Sequence, residues 1–298
     1  MKLFSKLVLG LLMVGIAAAV SAQELTGTLK KIKDTGAITI GHRESSIPFS
    51  YLDDKQQPIG YAMDLCMKVV EAIKAELQMP NLKVNLQSVN PSNRIPLLQN
   101  GTIDMECGST TNSVARQQQV TFGPTYFVIN VTAAVKKSSG IKSFADLSGK
   151  TISTTSGATA VPLLNEYEKA KNVEFTKIYG KDHAESFLLL AQDRTSAFVM
   201  DDILLAGLIA SSNNPSDYMI IPESLRQEPY SMMLRKDDQQ FKALVDKIIG
   251  GVMKSGEIDK IYAKWLTSPI PPKGINMNLP QTPAIKEAFN NPNDKGVQ

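Results

Sequence analysis

Apolar and polar positions along this chain switch repeatedly between a period of two and a helical period, which predicts strands and helices in turn. The run Ala37-Ile38-Thr39-Ile40, closed by Gly41, reads as a strand. Leu65, Cys66, Val69, Val70, Ile73 and Leu77 follow at helical spacing, predicting a helix near 63–77 with one apolar face. Leu82, Val84 and Leu86 alternate as a strand would, and Arg94 to Gln99 fits a short helix stopped by Gly101. Ile103 and Met105 alternate with Asp104 and Glu106 in a strand that runs into Cys107-Gly108. Val131 to Val135 is strand-like, ahead of a polar break from Lys136 to Gly140.

A similar cycle then restarts. Lys150–Thr154, Val173–Tyr179 and Ser196–Met200 read as strands, and Thr159–Lys171, Ala184–Gln192 and Ile203–Ile209 as the helices between and after them. Beyond Tyr230, Ser231–Arg235 reads as a strand, and Phe241, Leu244, Val245, Ile248 and Ile249 form a helix face. Pro269, Pro271 and Pro272 stop a last helix around Trp265, and a polar tail follows. This order is that of an α/β fold in two units, divided near 130–137. Periodicity leaves open whether the final segment belongs to the second unit or returns to the first.

A length of 298 residues agrees with two domains of about 150. With 43% hydrophobic and 20% charged residues, the chain is outside the disordered, collagen-like and multi-span membrane classes. The net charge is +3, of which Lys2 and Lys6 supply two, leaving +1 on the remainder. That body offers no basic field for nucleic acid. Residues 1–22 have the form of an export signal: Lys2 and Lys6, the apolar run Leu7 to Val20, and small residues Val20-Ser21-Ala22 before a cleavage site at Gln23. The apolar run is shorter than the ~20 residues a membrane span needs. Gln23 in place of Cys gives no site for lipid attachment, so a protein outside the cytoplasm is expected. Two cysteines exclude a disulfide-dense scaffold and a four-cysteine zinc site. Cys66 lies on the apolar helix face and Cys107 ends a neighbouring strand. In an oxidising compartment they are expected to form a disulfide, the alternative being two buried thiols.

Catalytic motifs mostly fail. Gly149-Lys150-Thr151 looks like the end of a phosphate loop, but Phe144 stands where that loop needs its first glycine. There is no dinucleotide fingerprint after a strand, no zinc-protease pair and no nucleophile elbow. His42 and His183 are the only histidines, so neither a metal nor a cofactor is expected. Polar residues gather instead after strands: His42–Ser46, Asn93-Arg94, Cys107–Asn112 ahead of Arg116, Thr154–Gly157 and Asp201-Asp202. Open α/β sheets bind ligands beyond the carboxyl ends of their strands. Serine and threonine there donate to anions, and arginine forks onto carboxylates. Taken singly, each segment also reads as a helix cap or a surface arginine.

Three runs carry more: Gly41–Ser50 (GHRESSIPFS), Asn93–Gly101 (NRIPLLQNG) and Glu106–Asn112 (ECGSTTN). With Phe144–Lys150, Lys181-Asp182-His183, Met200-Asp201-Asp202 and Ile270-Pro271-Pro272-Lys273, they resemble the acidic-amino-acid subgroup of extracellular solute-binding family 3, the periplasmic components of bacterial ABC importers. The resemblance covers nearly the whole chain after the leader. It implies an α/β, two-lobed type II periplasmic-binding-protein fold, each lobe a sheet flanked by helices, joined by two hinge strands. Lobe 1 would comprise 24–128 and 230–298, and lobe 2 would comprise 129–229. It further implies a monomer that captures L-glutamate or L-aspartate between its lobes and delivers it to a membrane permease, with a chemoreceptor as a further partner.

The family's ligand residues carry over to Arg43, Arg94, Ser109, Thr111, Arg116, Thr155, His183 and Asp201. Two positions depart, with Pro91 in place of a serine and Ala158 in place of a threonine. The neighbours Asn90, Ser92 and Thr159 are candidates to compensate. Arg116 with Thr111 suits an α-carboxylate, Asp201 with Ser109 an ammonium, and Arg43, Arg94 and His183 a side-chain carboxylate. Three arginines less one aspartate leave +2 around a ligand of −1, which favours acidic over neutral amino acids. From the residues alone, Arg43 and Arg94 also read as surface groups, His183 as a satisfied structural histidine, and Asp201 as a cap for the helix near Ile203. A cyclohexadienyl-dehydratase-like enzyme on the same scaffold is the competing reading. It would need His183 or Glu44 as proton donor.

Overall fold

A computed structural model describes residues 24–298. The export signal expected over residues 1–22 lies outside the described residues. Among the described residues no helix is long and apolar enough to cross a membrane.

Two sheets organise the chain. The first has the strand order 83–88, 37–42, 105–107, 233–235, 120–122. Its first three strands are parallel and its last two are joined antiparallel. The second has the order 176–180, 151–155, 197–201, 127–136, 218–220, with 226–230 also paired to 127–136. Its first three strands are again parallel. The segment after Tyr230 therefore returns to the first sheet, a point that periodicity had left open.

The division expected near 130–137 falls inside an element of the second sheet. Phe127–Lys136 is one strand within the second sheet, and Lys137–Ser139 is a 3-10 turn following it. Crossing occurs earlier, where Gly123 N donates to Met232 O and Tyr126 N to Tyr230 O, so the two connecting segments run side by side. A cluster of buried aromatic rings clamps this crossing: Phe49 packs edge-on against Phe127 at 4.8 Å and Tyr230 at 5.2 Å. The hydroxyls of Tyr61 and Tyr126 donate to the carbonyls of Tyr126 and Gly108. Such rings bury large areas while their polar tips find partners.

Helix formation follows the apolar stripes. Tyr61–Glu76 buries Leu65, Cys66, Val69, Val70 and Ile73, the face read from spacing. Its start requires glycine: Gly60 has φ 138°, and a Cβ there would lie 2.3 Å from the carbonyl oxygen of Phe49. The same backbone contact lets Ala62 N donate to Phe49 O. His183–Ala191 begins at Asp182, whose carboxylate accepts from Glu185 N.

The polar tail is a structured element. Pro283–Asn290 is a helix capped by Thr282, with Ile285, Ala288 and Phe289 buried. These residues recur at helical spacing, so the signal lay in a segment whose overall polarity masked it. The N-terminal helix Gly27–Thr35 gave little signal because only Thr28, Leu29 and Ile32 are buried. The strand Arg226–Tyr230 was not anticipated either, because Pro229 and two charged residues argue against a strand interior.

Cys66 and Cys107 form a disulfide with a Cα separation of 6.2 Å, tying the helix Tyr61–Glu76 to the strand Met105–Cys107. The bond spans 41 residues, for which chain entropy gives about 4 kcal/mol at most. The double variant Cys66→Ser/Cys107→Ser is expected to unfold about 2–4 kcal/mol more readily in urea. Native protein denatured without reductant should label no thiols.

Candidate functional site

The parallel strands of both sheets end at the gap between the two units, and the residues after those ends face one another. Arg94, Ser109, Thr111 and Arg116 from the first unit, with His183 and Asp201 from the second, line one narrow cavity of about 10 Å³. Pro91, Ala158, Thr159 and Met200 complete its wall. Arg43 and Thr155 lie one contact behind it. Thr159 is thus the neighbour that brings a hydroxyl to the wall, whereas Asn90 is used in its own turn and Ser92 Oγ donates to Ser156 O.

Arg94 is buried at the start of the helix Arg94–Gln99. Its Nη1 donates to Thr110 Oγ1 and to Ser109 O, and stands 3.7 Å from Glu106 Oε1. Its Nε is buried with no partner. Arg43 is more fully engaged. Nε donates to Val89 O, Nη1 to Ser109 Oγ, and Nη2 lies 3.1 Å from His183 Nε2. A guanidinium only donates, so His183 Nε2 accepts, and Nδ1 carries the proton toward Thr155 Oγ1 at 3.0 Å. The ring is therefore neutral. Burial, followed by the charges of Arg43 and Arg94, holds its pKa well below the ordinary histidine value. Both ring nitrogens of His183 are taken by protein groups.

Arg116 sits in the short helix Val114–Gln117, fixed by Ser113, whose hydroxyl accepts from Arg116 N. Its Nη1 donates to Thr111 O at 2.9 Å and its Nη2 crosses to Gly157 O at 3.0 Å. Burial and Arg94 bring its pKa down to about 9, still cationic at neutral pH. Asp201 ends the strand Ala197–Asp201 and precedes the helix Asp202–Ser211, yet its side chain makes no capping bond. Tyr230 OH donates to Oδ2, and Oδ1 is buried without a partner. Burial, with help from the negative charge of Glu228, pushes its carboxyl up to about 8.

One role changes. Thr111 Oγ1 donates to Glu228 Oε2 at 2.7 Å, so its proton is not free for an α-carboxylate. The charge balance changes too. Glu106 and Glu228 are fully buried beside the arginines, and Arg226 pairs with Glu228 at 2.6 Å. Four guanidinium groups then face three carboxyls, leaving +1 rather than +2 when Asp201 is ionised. Alternation had placed Asp104 and Glu106 on a polar face, but helices cover both faces of that central strand and both side chains are buried. Glu228 was missed with its strand.

The units touch directly in this closed arrangement. Gly157 has φ 79°, and a Cβ there would sit 2.7 Å from the backbone of Pro91 across the gap. Gly157→Ala is expected to prop the gap open and to weaken ligand binding about tenfold or more, and its left-handed backbone should also cost the free protein about 1–2 kcal/mol. Parallel titration and thermal melts check this.

Residues 38–268 match the model of the bacterial extracellular solute-binding proteins, family 3. The chain is 49% identical over 286 residues to the L-glutamate/L-aspartate-binding protein of Pseudomonas aeruginosa, spanning 95% of this chain and 94% of that protein. It is 46% identical over 284 residues to the glutamate/aspartate import solute-binding protein of Escherichia coli strain K12, with 95% and 94% coverage. Among solved structures, the cysteine-binding protein of Campylobacter jejuni superposes with a TM-score of 0.69 at 26% identity, over 81% of this chain and 93% of that one. With a family model matched over most of its length and relatives this similar end to end, the chain belongs to the bacterial extracellular solute-binding proteins, family 3.

Proposed function

We propose that this protein binds L-glutamate and L-aspartate in the cleft between its two units and hands them to an ABC-type membrane permease after export to the periplasm. One observation carries the reading. Arg94 and Asp201 line a single cavity, and Arg94 Nε and Asp201 Oδ1 are each buried with nothing to bond. A buried polar atom without a partner costs about 1–3 kcal/mol, and a zwitterion with a second carboxylate satisfies both signs at once. Arg116 supplies the donor for the α-carboxylate common to all amino acids. Arg94, backed by Arg43 and His183, reads the side-chain carboxylate, and Ser109 and Thr155 hold those groups in place. The relatives named above as glutamate- and aspartate-binding proteins support the choice of ligand.

The lobes are taken as 24–128 with 230–298, and 129–229. Because contacts come from both, ligand favours the closed form over the open one. The enzyme reading loses its proton donors: both nitrogens of His183 are engaged, and Glu44 is exposed and outside the cavity wall. Calorimetric titration against the twenty amino acids tests the reading. Glutamate and aspartate should bind near micromolar or tighter, and glutamine at least tenfold more weakly. Small-angle scattering should show compaction with saturating glutamate. Binding of neutral amino acids in preference would overturn the assignment.

A further inference from the structure

The carboxylate of Glu228 reaches the cleft only through other side chains. Arg226 Nε and Nη2 donate to its Oε1 at 2.9 and 2.6 Å. Its Oε2 accepts from two hydroxyls, Thr111 Oγ1 and Thr159 Oγ1, each at 2.7 Å. Thr111 comes from the first unit and Thr159 from the start of the helix Ala160–Lys171 in the second. Both threonines line the cavity beside Asp201. A hydroxyl has one proton and two lone pairs, and a carboxylate only accepts. With their protons committed to Glu228, both threonines present acceptors alone to the cavity. Together with Asp201 Oδ1, which accepts once the carboxyl is ionised opposite a ligand ammonium, that side of the cleft then offers three acceptors and no side-chain donor from these residues.

We propose that Glu228 is a positioning residue that fixes the polarity of Thr111 and Thr159, making that wall of the cleft a receptor for a ligand ammonium and a barrier to ligands without one. The inference rests on the amino-acid-binding reading above and adds its specificity device. Its physical basis is that a dicarboxylate lacking an ammonium would leave all three acceptors unpaired, a loss that no contact on the arginine side recovers.

Glu228→Gln makes a sharp test because of Arg226. The guanidinium donors hold the amide oxygen, which turns the amide NH2 toward the threonines. Each threonine hydroxyl then accepts from that NH2 and is free to donate into the cavity, so the wall changes sign. Glutarate, which is glutamate without its ammonium, is the probe. Wild-type protein should bind glutamate at least about 100-fold more tightly than glutarate. In Glu228→Gln, glutamate affinity should fall about tenfold or more while glutarate affinity holds or rises, narrowing the ratio at least tenfold. Thr159→Val should weaken glutamate and spare glutarate, and this effect should vanish in the Glu228→Gln background. Thr111→Ser, which retains the hydroxyl, should keep the wild-type ratio.

Should Glu228→Gln fail to fold, Thr159→Val and Thr111→Ser carry the test by themselves. A purely structural role for Glu228 would lower both affinities by one factor and leave the ratio unchanged, and that result overturns the proposal. Wild-type protein that binds no acidic amino acid would instead overturn the function proposed above.

Discussion

Asp201→Asn is expected to raise the melting temperature of the ligand-free protein and to reduce amino-acid binding by about 100-fold or more. Burial and Glu228 push the Asp201 carboxyl up to about 8 in the folded protein, against an ordinary value near 3.9 in unfolded chain. The folded state therefore holds a proton that the unfolded state releases. Such a group contributes most to stability below pH 4, and that contribution is lost as the pH rises toward 8. At pH 8 the loss is on the order of 2–5 kcal/mol. Asparagine removes that slope while keeping an acceptor for Tyr230 OH. The variant should match wild type near pH 4 and melt several degrees higher at pH 8.

Binding responds in the opposite sense. A ligand ammonium needs the ionised carboxylate, so wild-type affinity should climb between pH 6 and pH 8. The proton leaves as ligand enters, and calorimetry in buffers of different ionisation enthalpy will count it. Truncating one partner of a buried charge pair costs about 2–5 kcal/mol, which is the basis of the 100-fold figure. If Asp201→Asn binds glutamate as wild type does, the ammonium assignment is wrong.

The second large effect separates the arginines by role. Arg116→Met should weaken glutamate, aspartate and glutamine by one common factor, since each carries an α-carboxylate. Arg94 is assigned above to the group that glutamine lacks, but Arg94→Met alone confounds the test. It would strand Glu106, which is fully buried and 3.7 Å from the guanidinium. Removing one member of such a pair destabilises by about 3–5 kcal/mol. The informative variant is Arg94→Met/Glu106→Gln, which removes the pair together and leaves Thr110 an acceptor. It should lose glutamate binding by about tenfold to several hundredfold and glutamine binding much less. Equal losses for the two ligands would sink the side-chain assignment.

Much of this protein is legible in its sequence because local rules and tertiary demand agree there. The apolar stripe of Tyr61–Glu76, the helix Arg94–Gln99 and the restart of the strand–helix cycle follow from spacing. The placing of Arg94, Ser109, Thr111, Arg116, His183 and Asp201 around one cavity follows from their positions after strand ends, where an α/β sheet puts its ligand.

Tertiary structure decided whatever depends on partners distant in sequence. Spacing at Ile285, Ala288 and Phe289 hints at a helix after Pro272, but no local pattern shows where that helix packs, or that Arg226–Tyr230 is a strand despite its proline and charges. Periodicity reports which face of an element is apolar, and it only alternates Glu106 with the apolar Ile103 and Met105. Only the sheet with helices on both sides shows it to be buried beside Arg94. In the same way, a lone glutamate before Pro229 says nothing about chemistry. Its meaning arises when folding brings Thr111, Thr159 and Arg226 to one carboxylate across separations of 117, 69 and 2 residues. Hydrogen-bond polarity is a property of the assembled group, because each hydroxyl proton goes to whichever acceptor the fold supplies. The sequence determines which groups are available, and three-dimensional proximity determines which of them remain free for the ligand.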